Sequence, residues 1–323
     1  MSNKDAPYSD KPFDVDVDLG DSTHKHPLPT PKSKPKDFDS YWNKMLNDLG
    51  NTPGSPEEEQ IPIRSSDFAT TYGIHLTSIG PYRLFGYLSV PNDKDLAPFP
   101  TLFYFPNYSS VVNPLPQGAT HELRRRYATF TLAARGQRNA NKPFEATFPG
   151  LMTVGVDHPS TYIYRGIIGD CCRGIEYLHS RPDIDPKRTI GIGDDLTLIS
   201  SGLVGKLSHI SCGPGSLYKP INHPEILNYI RSNPNKLDKV STSLSYFDSR
   251  WFNLPKDPIC LISGEANGGA MGSDGLKALL NKLGNKATFY ETQKSAYKDG
   301  LFKDTWIANQ FGFDDPIIPK LWE

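Results

Sequence analysis

From Thr101 onward the chain alternates short runs of β-branched and aromatic residues with longer stretches of helical periodicity, and this alternation constrains its fold more than any other feature. Strand patterns fall at Thr101 to Phe105, Ala128 to Ala134, Thr189 to Ile192, His209 to Cys212, Ile259 to Ser263 and Ala287 to Glu291. Helical patterns fall between them, at Ile163 to Arg181, Leu196 to Leu207, around a loop within His223 to Asp248, at Ser273 to Leu283, and near Thr305 to Phe311. Strands that alternate with helices bury both sheet faces under crossover helices, which predicts an α/β fold with a mostly parallel sheet. The start of the chain differs. Tyr72 to Ile79 and Tyr82 to Val90 flank Gly80-Pro81 and read as a hairpin. Phe38, Tyr41, Trp42, Met45, Leu46 and Leu49 recur at three- and four-residue spacing, which predicts an amphipathic helix capped by Asp37 and ended by Gly50. Residues 1–36 are rich in Asp, Lys and Pro and poor in aliphatic side chains, so they read as an extended or disordered arm before a single domain over 37–323.

A length of 323 residues suits one large domain. With 35 Lys and Arg against 36 Asp and Glu, there is no basic surplus to neutralise a run of phosphates, which argues against nucleic acid as a partner. No apolar run approaches the ~20 residues of a membrane span, and Met1 to Asp5 does not open a secretory leader, so a cytoplasmic protein without a membrane partner is expected. Cys171, Cys172, Cys212 and Cys260 lack metal-ligand spacing and read as reduced, mostly buried residues. The histidines His24, His26, His75, His121, His158, His179 and His209 are scattered without a His-x-x-x-His pair, so neither a metal nor another cofactor is expected. The run Arg124-Arg125-Arg126 reads as a solvated helix end or an intersubunit ion-pair donor.

Five motifs resemble, in order and spacing, the acetyl xylan esterases and cephalosporin C deacetylases of the α/β-hydrolase superfamily. They are Asp37-Phe38-Asp39-Ser40-Tyr41-Trp42, Gly86-Tyr87-Leu88-Ser89-Val90-Pro91, Arg135-Gly136-Gln137, Tyr162-Ile163-Tyr164-Arg165-Gly166 and Leu244-Ser245-Tyr246-Phe247-Asp248. The resemblance implies an α/β-hydrolase fold with helices on both sheet faces. It also implies a serine nucleophile on a sharp strand-to-helix turn, an Asp and a His after later strands, an oxyanion hole, deacetylation of sugars through an acyl-enzyme, and assembly as homo-oligomers, commonly hexamers.

At the positions that would carry this chemistry the chain departs from the pattern. Gly193-Asp194-Asp195-Leu196-Thr197 stands where the family has Gly-x-Ser-x-Gly, so Asp195 takes the place of the serine and Thr197 that of a glycine. A β-branched residue there implies a relaxed turn, and Asp194 and Asp195 read as the charged cap of the following helix. Asn267, in Gly264-Glu265-Ala266-Asn267, takes the place of the catalytic Asp, and Ser295 that of the histidine. No histidine occurs after His223. Of the oxyanion region the resemblance leaves Tyr108, after Pro106-Asn107, and Leu196. The expected function is therefore that of a catalytically degenerate esterase homologue that binds a small acetylated or carbohydrate ligand or serves as a structural subunit. The alternatives are an active carbohydrate acetyl esterase with a differently placed constellation, or chemistry from Asp195 itself, which would still need a base to activate water.

Overall fold

A computed structural model describes residues 33–108, 112, 125–137, 150–254 and 257–314. Most of the N-terminal arm, together with His24, His26, His121 and Arg124, lies outside the described residues.

The first helix, α1 (Phe38–Gly50), buries Phe38, Trp42, Met45 and Leu49, the predicted face. Its ends differ from expectation. Asp37 has φ −99° and ψ 13°, outside the extended conformation from which a side chain reaches back to the first-turn amides, and its carboxylate instead accepts a 2.6 Å hydrogen bond from the Tyr246 hydroxyl. Gly50 is the last helical residue, and Asn51, still in right-handed conformation, forms the C-cap.

Nine strands form one sheet: β1 (Glu57–Gln60), β2 (Ala69–Ser78), β3 (Tyr82–Pro91), β4 (Phe99–Tyr104), β5 (Ala128–Ala133), β6 (Ile184–Gly193), β7 (His209–Cys212), β8 (Ile259–Gly264) and β9 (Ala287–Glu291). Their spatial order is β1-β2-β3-β5-β4-β6-β7-β8-β9. The predicted hairpin is the antiparallel β2–β3 pair, turning at Gly80 with φ +87°. Strand β3 joins β5 antiparallel, and from β5 to β9 every pairing is parallel. Both β5 and β7 are buried along their whole length, as strands covered on two faces must be. Strand β1 has no counterpart in the sequence reading, because its residues, Glu57 to Gln60, are all polar and exposed and carry no alternation.

The remaining helices are α2 (Ile163–Ser180), α3 (Asp195–Val204), α4 (Pro224–Ser232), α5 (Leu237–Leu244), α6 (Gly272–Leu283) and α7 (Ala296–Phe311). Along β4 the side chains alternate between two cores: Phe103 joins α1, α2 and α3, whereas Leu102 packs with Ile307, Ala308 and Phe311 of α7 on the other face. Helix α3 stops before the expected Leu207, because Gly205 adopts φ +65° and its N–H closes on the Ser201 carbonyl at 2.7 Å. Helix α7 begins nine residues earlier than its apolar residues suggest. Only Ile307, Ala308 and Phe311 are buried, whereas Tyr297 and Phe302 of its first turns are exposed.

Two of the motif pairs that carry the resemblance meet in space. Trp42 packs against Phe247 with ring centroids 5.5 Å apart and donates from its indole N–H to the Tyr246 carbonyl at 3.1 Å. Arg135 forks onto the fully buried Asp170 of α2 at 2.7 and 2.9 Å and donates to the Ile79 carbonyl. Gly166 makes room for that guanidinium, since a Cβ there would lie 2.5 Å from it. All four cysteines are free and buried. Among the described residues no helix is long and apolar enough to cross a membrane.

Candidate functional site

Strand β6 passes into α3 through Gly193 and Asp194. Asp194 is the N-cap, with φ −125°, and its Oδ1 accepts from the Leu196 N–H at 2.9 Å. No non-glycine residue of this turn has a positive φ; among the described residues only Ser55, Lys219 and Lys294 do. The strained backbone that exposes a nucleophile at the top of a strand is therefore absent here. Strand and helix still approach closely, but the space comes from the strand. A Cβ on Gly193 would fall 2.6 Å from Thr197 Oγ1, and one on Gly191 would fall 2.8 Å from Thr197 Cγ2. Glycines at the end of β6 thus accommodate a threonine on the helix side.

Asp195 is the first residue of α3 and is 1% exposed. Its Oδ2 accepts backbone N–H bonds from Gly215 at 2.7 Å and Leu217 at 3.0 Å, which pins the segment after β7 to the helix. Burial pushes its carboxyl up, opposed by the Leu217 and Gly215 donors. Asp194 is pushed up to about 7, first by burial and then by the neighbouring Asp195 charge. Leu196, expected in the oxyanion region, spends its N–H on Asp194.

The other expected positions do local work. Asn267 is exposed, and its Oδ1 accepts from the Gly269 N–H at 2.8 Å, closing an Asx turn. Ser295 caps α7, accepting from the Lys298 N–H at 3.3 Å. The loop before it is held by Asp299, which accepts from the Tyr290 hydroxyl and the Gln293 N–H, both at 2.8 Å. Among the described residues, no hydrogen bond or ion pair links Asp195 to Asn267 or Ser295.

Tyr108 belongs to a different cluster. Its hydroxyl donates to Glu225 Oε1 in a short hydrogen bond, while Glu225 Oε2 accepts from the Met152 N–H at 3.2 Å. Burial and then this bond to Glu225 push the Tyr108 phenol up to about 12. The His223 ring lies edge-on to Tyr108 with centroids 5.8 Å apart. As N-cap of α4, His223 accepts from the Glu225 N–H on Nδ1 at 3.3 Å, and burial holds it below the ordinary imidazole range. Tyr162 and Tyr164, stacked 5.3 Å apart, are pushed well above the usual phenol range by burial, and the charge of Glu225 acts on both in the same direction. The sequence reading missed Glu225 and His223. The signal available to it was His223-Pro224-Glu225, a proline at the first helical position followed by an acid in the first turn, which marks a helix start without saying what the acid touches.

The remaining histidines are dispersed. His75 packs on Phe85, His158 bonds Ser160, and His209 bonds Ser208, while burial lowers His179. Among the described residues no three His, Cys, Asp or Glu side chains gather where they could hold a metal ion. Arg125 lies over the Phe68 ring and Arg126 over Phe313, each within 4.0 Å of the centroid.

Comparison with known proteins agrees with the motifs. A curated relative, acetyl esterase Axe7A of Xylanibacter ruminicola, is 24% identical over 181 residues, covering 52% of this chain and 41% of that protein, so the match spans well under half of the relative's length. Two solved structures share the fold: an acetyl xylan esterase from Paenibacillus sp. R4 (TM-score 0.73, 19% identity, 87% of this chain and 96% of that one) and acetyl xylan esterase 1 from Thermoanaerobacterium sp. JW/SL YS485 (TM-score 0.72, 18% identity, 89% and 97%). The nine-stranded sheet with helices on both faces is thus an α/β-hydrolase fold. Residues 25–264 match the acetyl xylan esterase (AXE1) family across most of the chain, and the protein belongs to that family.

Proposed function

We propose that this family member is catalytically degenerate and acts as a binding or structural subunit. One observation carries the reading: no histidine occurs in residues 224–323, so the segment containing β8, β9 and the loops after them supplies no imidazole to take a proton from a nucleophile. The local geometry supports it. Asp195 commits an oxygen to two backbone amides, Asn267 closes a turn, Ser295 caps a helix, and the Leu196 amide is already engaged. The position of the histidine after β9 is occupied by a polar loop whose hydrogen bonds serve the start of α7. On this reading the ligand is a small acetylated or carbohydrate molecule, and the chain works in the cytoplasm as a homo-oligomer. Mass photometry showing monomers alone would remove the last part.

A second reading, an active carbohydrate acetyl esterase, is favoured by the approach of His223 to Tyr108. Against it, the acceptor nitrogen of His223 is spent on the Glu225 amide and the phenol proton is directed to Glu225. The test is incubation of the intact chain with a serine-directed fluorophosphonate, followed by intact-mass measurement. No adduct is expected, and Asp195→Ser should add none, since a lone hydroxyl without a base is a weak nucleophile. A stoichiometric adduct mapped to one serine of the natural chain would overturn the degenerate reading.

A further inference from the structure

The Arg135-Gly136-Gln137 and Tyr162-Ile163-Tyr164-Arg165-Gly166 motifs meet at a solvent-open cavity of about 450 Å³, between the end of α1, the hairpin turn at Gly80 and the start of α2. Arg135, Arg165, Asp48 and Thr161 give it polar walls, and none of Tyr108, Asp195, Asn267 and Ser295 lines it.

Both arginines keep unspent donors. Arg135 gives Nε and Nη2 to Asp170 and the Ile79 carbonyl, but its Nη1 has no hydrogen-bond partner among the described residues and is not sealed from solvent. That nitrogen lies at the cavity wall, since a Cβ on Gly166, itself a lining residue, would fall 2.5 Å from it. Arg165 spends only Nη2, on Asp48 Oδ2 at 2.7 Å, and its Nε and Nη1 are likewise unpartnered among the described residues and open to solvent.

The charges decide what such donors would hold. Asp170 neutralises Arg135, whereas the single carboxylate of Asp48 serves both Arg165 and Lys44, at 2.7 and 3.2 Å. One positive charge is left over. The start of α2, which borders the cavity, has neither a capping side chain nor an acid in its first turn to offset its dipole. An ammonium ligand would be repelled, and a single carboxylate matches both the surplus charge and the paired N–H groups of a guanidinium. Thr161 spends its hydroxyl proton on the Gly155 and His158 carbonyls, so its oxygen is left to accept from a ligand hydroxyl. A cavity of about 150 Å³ takes benzene, so a molecule of about a dozen heavy atoms fits in this larger space.

We infer that this cavity is a ligand site for a hydroxylated monocarboxylate of monosaccharide size, its carboxylate held by Arg135 Nη1 and Arg165 and a hydroxyl donating to Thr161. The site does not depend on whether the chain hydrolyses esters, so its failure and that of the degenerate reading are separate results.

D-glucuronate and D-glucose, alike in ring and differing by one carboxylate, are the probes, with dissociation constants measured on the full chain by ligand-detected NMR. Saturable glucuronate binding is expected, about tenfold tighter than that of glucose, the step between a charge-assisted and an ordinary hydrogen bond. Arg165→Gln, which removes the surplus charge and leaves Asp48 to Lys44, should bring the two affinities together. Arg188→Gln, which removes a cation paired with Asp185 outside the cavity, should leave the preference intact. A crystal structure of the natural chain grown with glucuronate should place its carboxylate within hydrogen-bond distance of Arg135 Nη1 and Arg165, and this decides the matter if a variant fails to fold. Absence of saturable glucuronate binding, equal affinity for glucose, an unchanged preference in Arg165→Gln, an equal loss in Arg188→Gln, or glucuronate seated elsewhere would each overturn the assignment.

Discussion

The packed interior near α1 and α2 and the loops at the ends of β6, β8 and β9 hold their polar groups in different ways. In the interior, motif residues meet: Trp42 lies on Phe247, and Gly166 makes room for Arg135, which forks onto the buried Asp170. At the loop ends, Asp195 opens a helix, Asn267 closes a turn and Ser295 caps a helix. The difference follows from what each region must satisfy. A buried guanidinium or indole is bound by many neighbours at once, and changing one member leaves a void or an unpaired charge. At the loop ends the contacts are local: Asn267 and Ser295 bond amides two and three residues on, and even the buried Asp195 is held by backbone amides rather than by a partner side chain of the motifs.

The largest test of this contrast is Asp170→Ala, which would strand Arg135 in the interior; a loss of about 3–5 kcal/mol in urea unfolding is expected. A loss below about 1 kcal/mol would erase the distinction between the two regions. Next is Asp194→Asn, which keeps a side-chain acceptor at the N-cap and removes a half-buried charge beside Asp195. Because Asp194 titrates near 7 in the folded chain against about 3.9 unfolded, its carboxyl costs nothing below the lower value and progressively more as pH rises to the upper one. The gain in stability from Asn should therefore be about 1–3 kcal/mol larger at pH 8 than at pH 5, read as the shift in urea midpoint between variant and natural chain. A gain independent of pH would mean that Asp194 is not held near neutrality.

Ser295→Ala removes the cap of α7 and should lower stability by about 1 kcal/mol, seen as a lower Tm. The smallest effect is assigned to Asn267→Asp, which preserves the turn acceptor: stability within about 0.5 kcal/mol of the natural chain and no acetate release gained. Appearance of hydrolysis in that variant would show that the loop after β8 still addresses a working site.

Most of the architecture is legible in the sequence because alternating apolar periods report burial directly. The hairpin at Gly80, the parallel strands and α2 all fall where the pattern places them. What it hides is polar or remote. The exposed residues Glu57 to Gln60 make an edge strand, and the first turns of α7 leave Tyr297 and Phe302 exposed rather than in a buried stripe. Tyr108 and Glu225, 117 residues apart, meet through a hydroxyl and a carboxylate that no local spacing announces. At the turn after β6, Asp194 was legible as a cap from its position before a helix, but not the exchange by which Gly191 and Gly193 make room for Thr197.

The central claim is a missing proton acceptor, and the most direct measurement is the rate of acetate release from p-nitrophenyl acetate by the purified natural chain. A rate equal to that of buffer, independent of protein concentration, is expected. Turnover proportional to protein concentration, and abolished by Tyr108→Phe or Asp195→Ala, would contradict it.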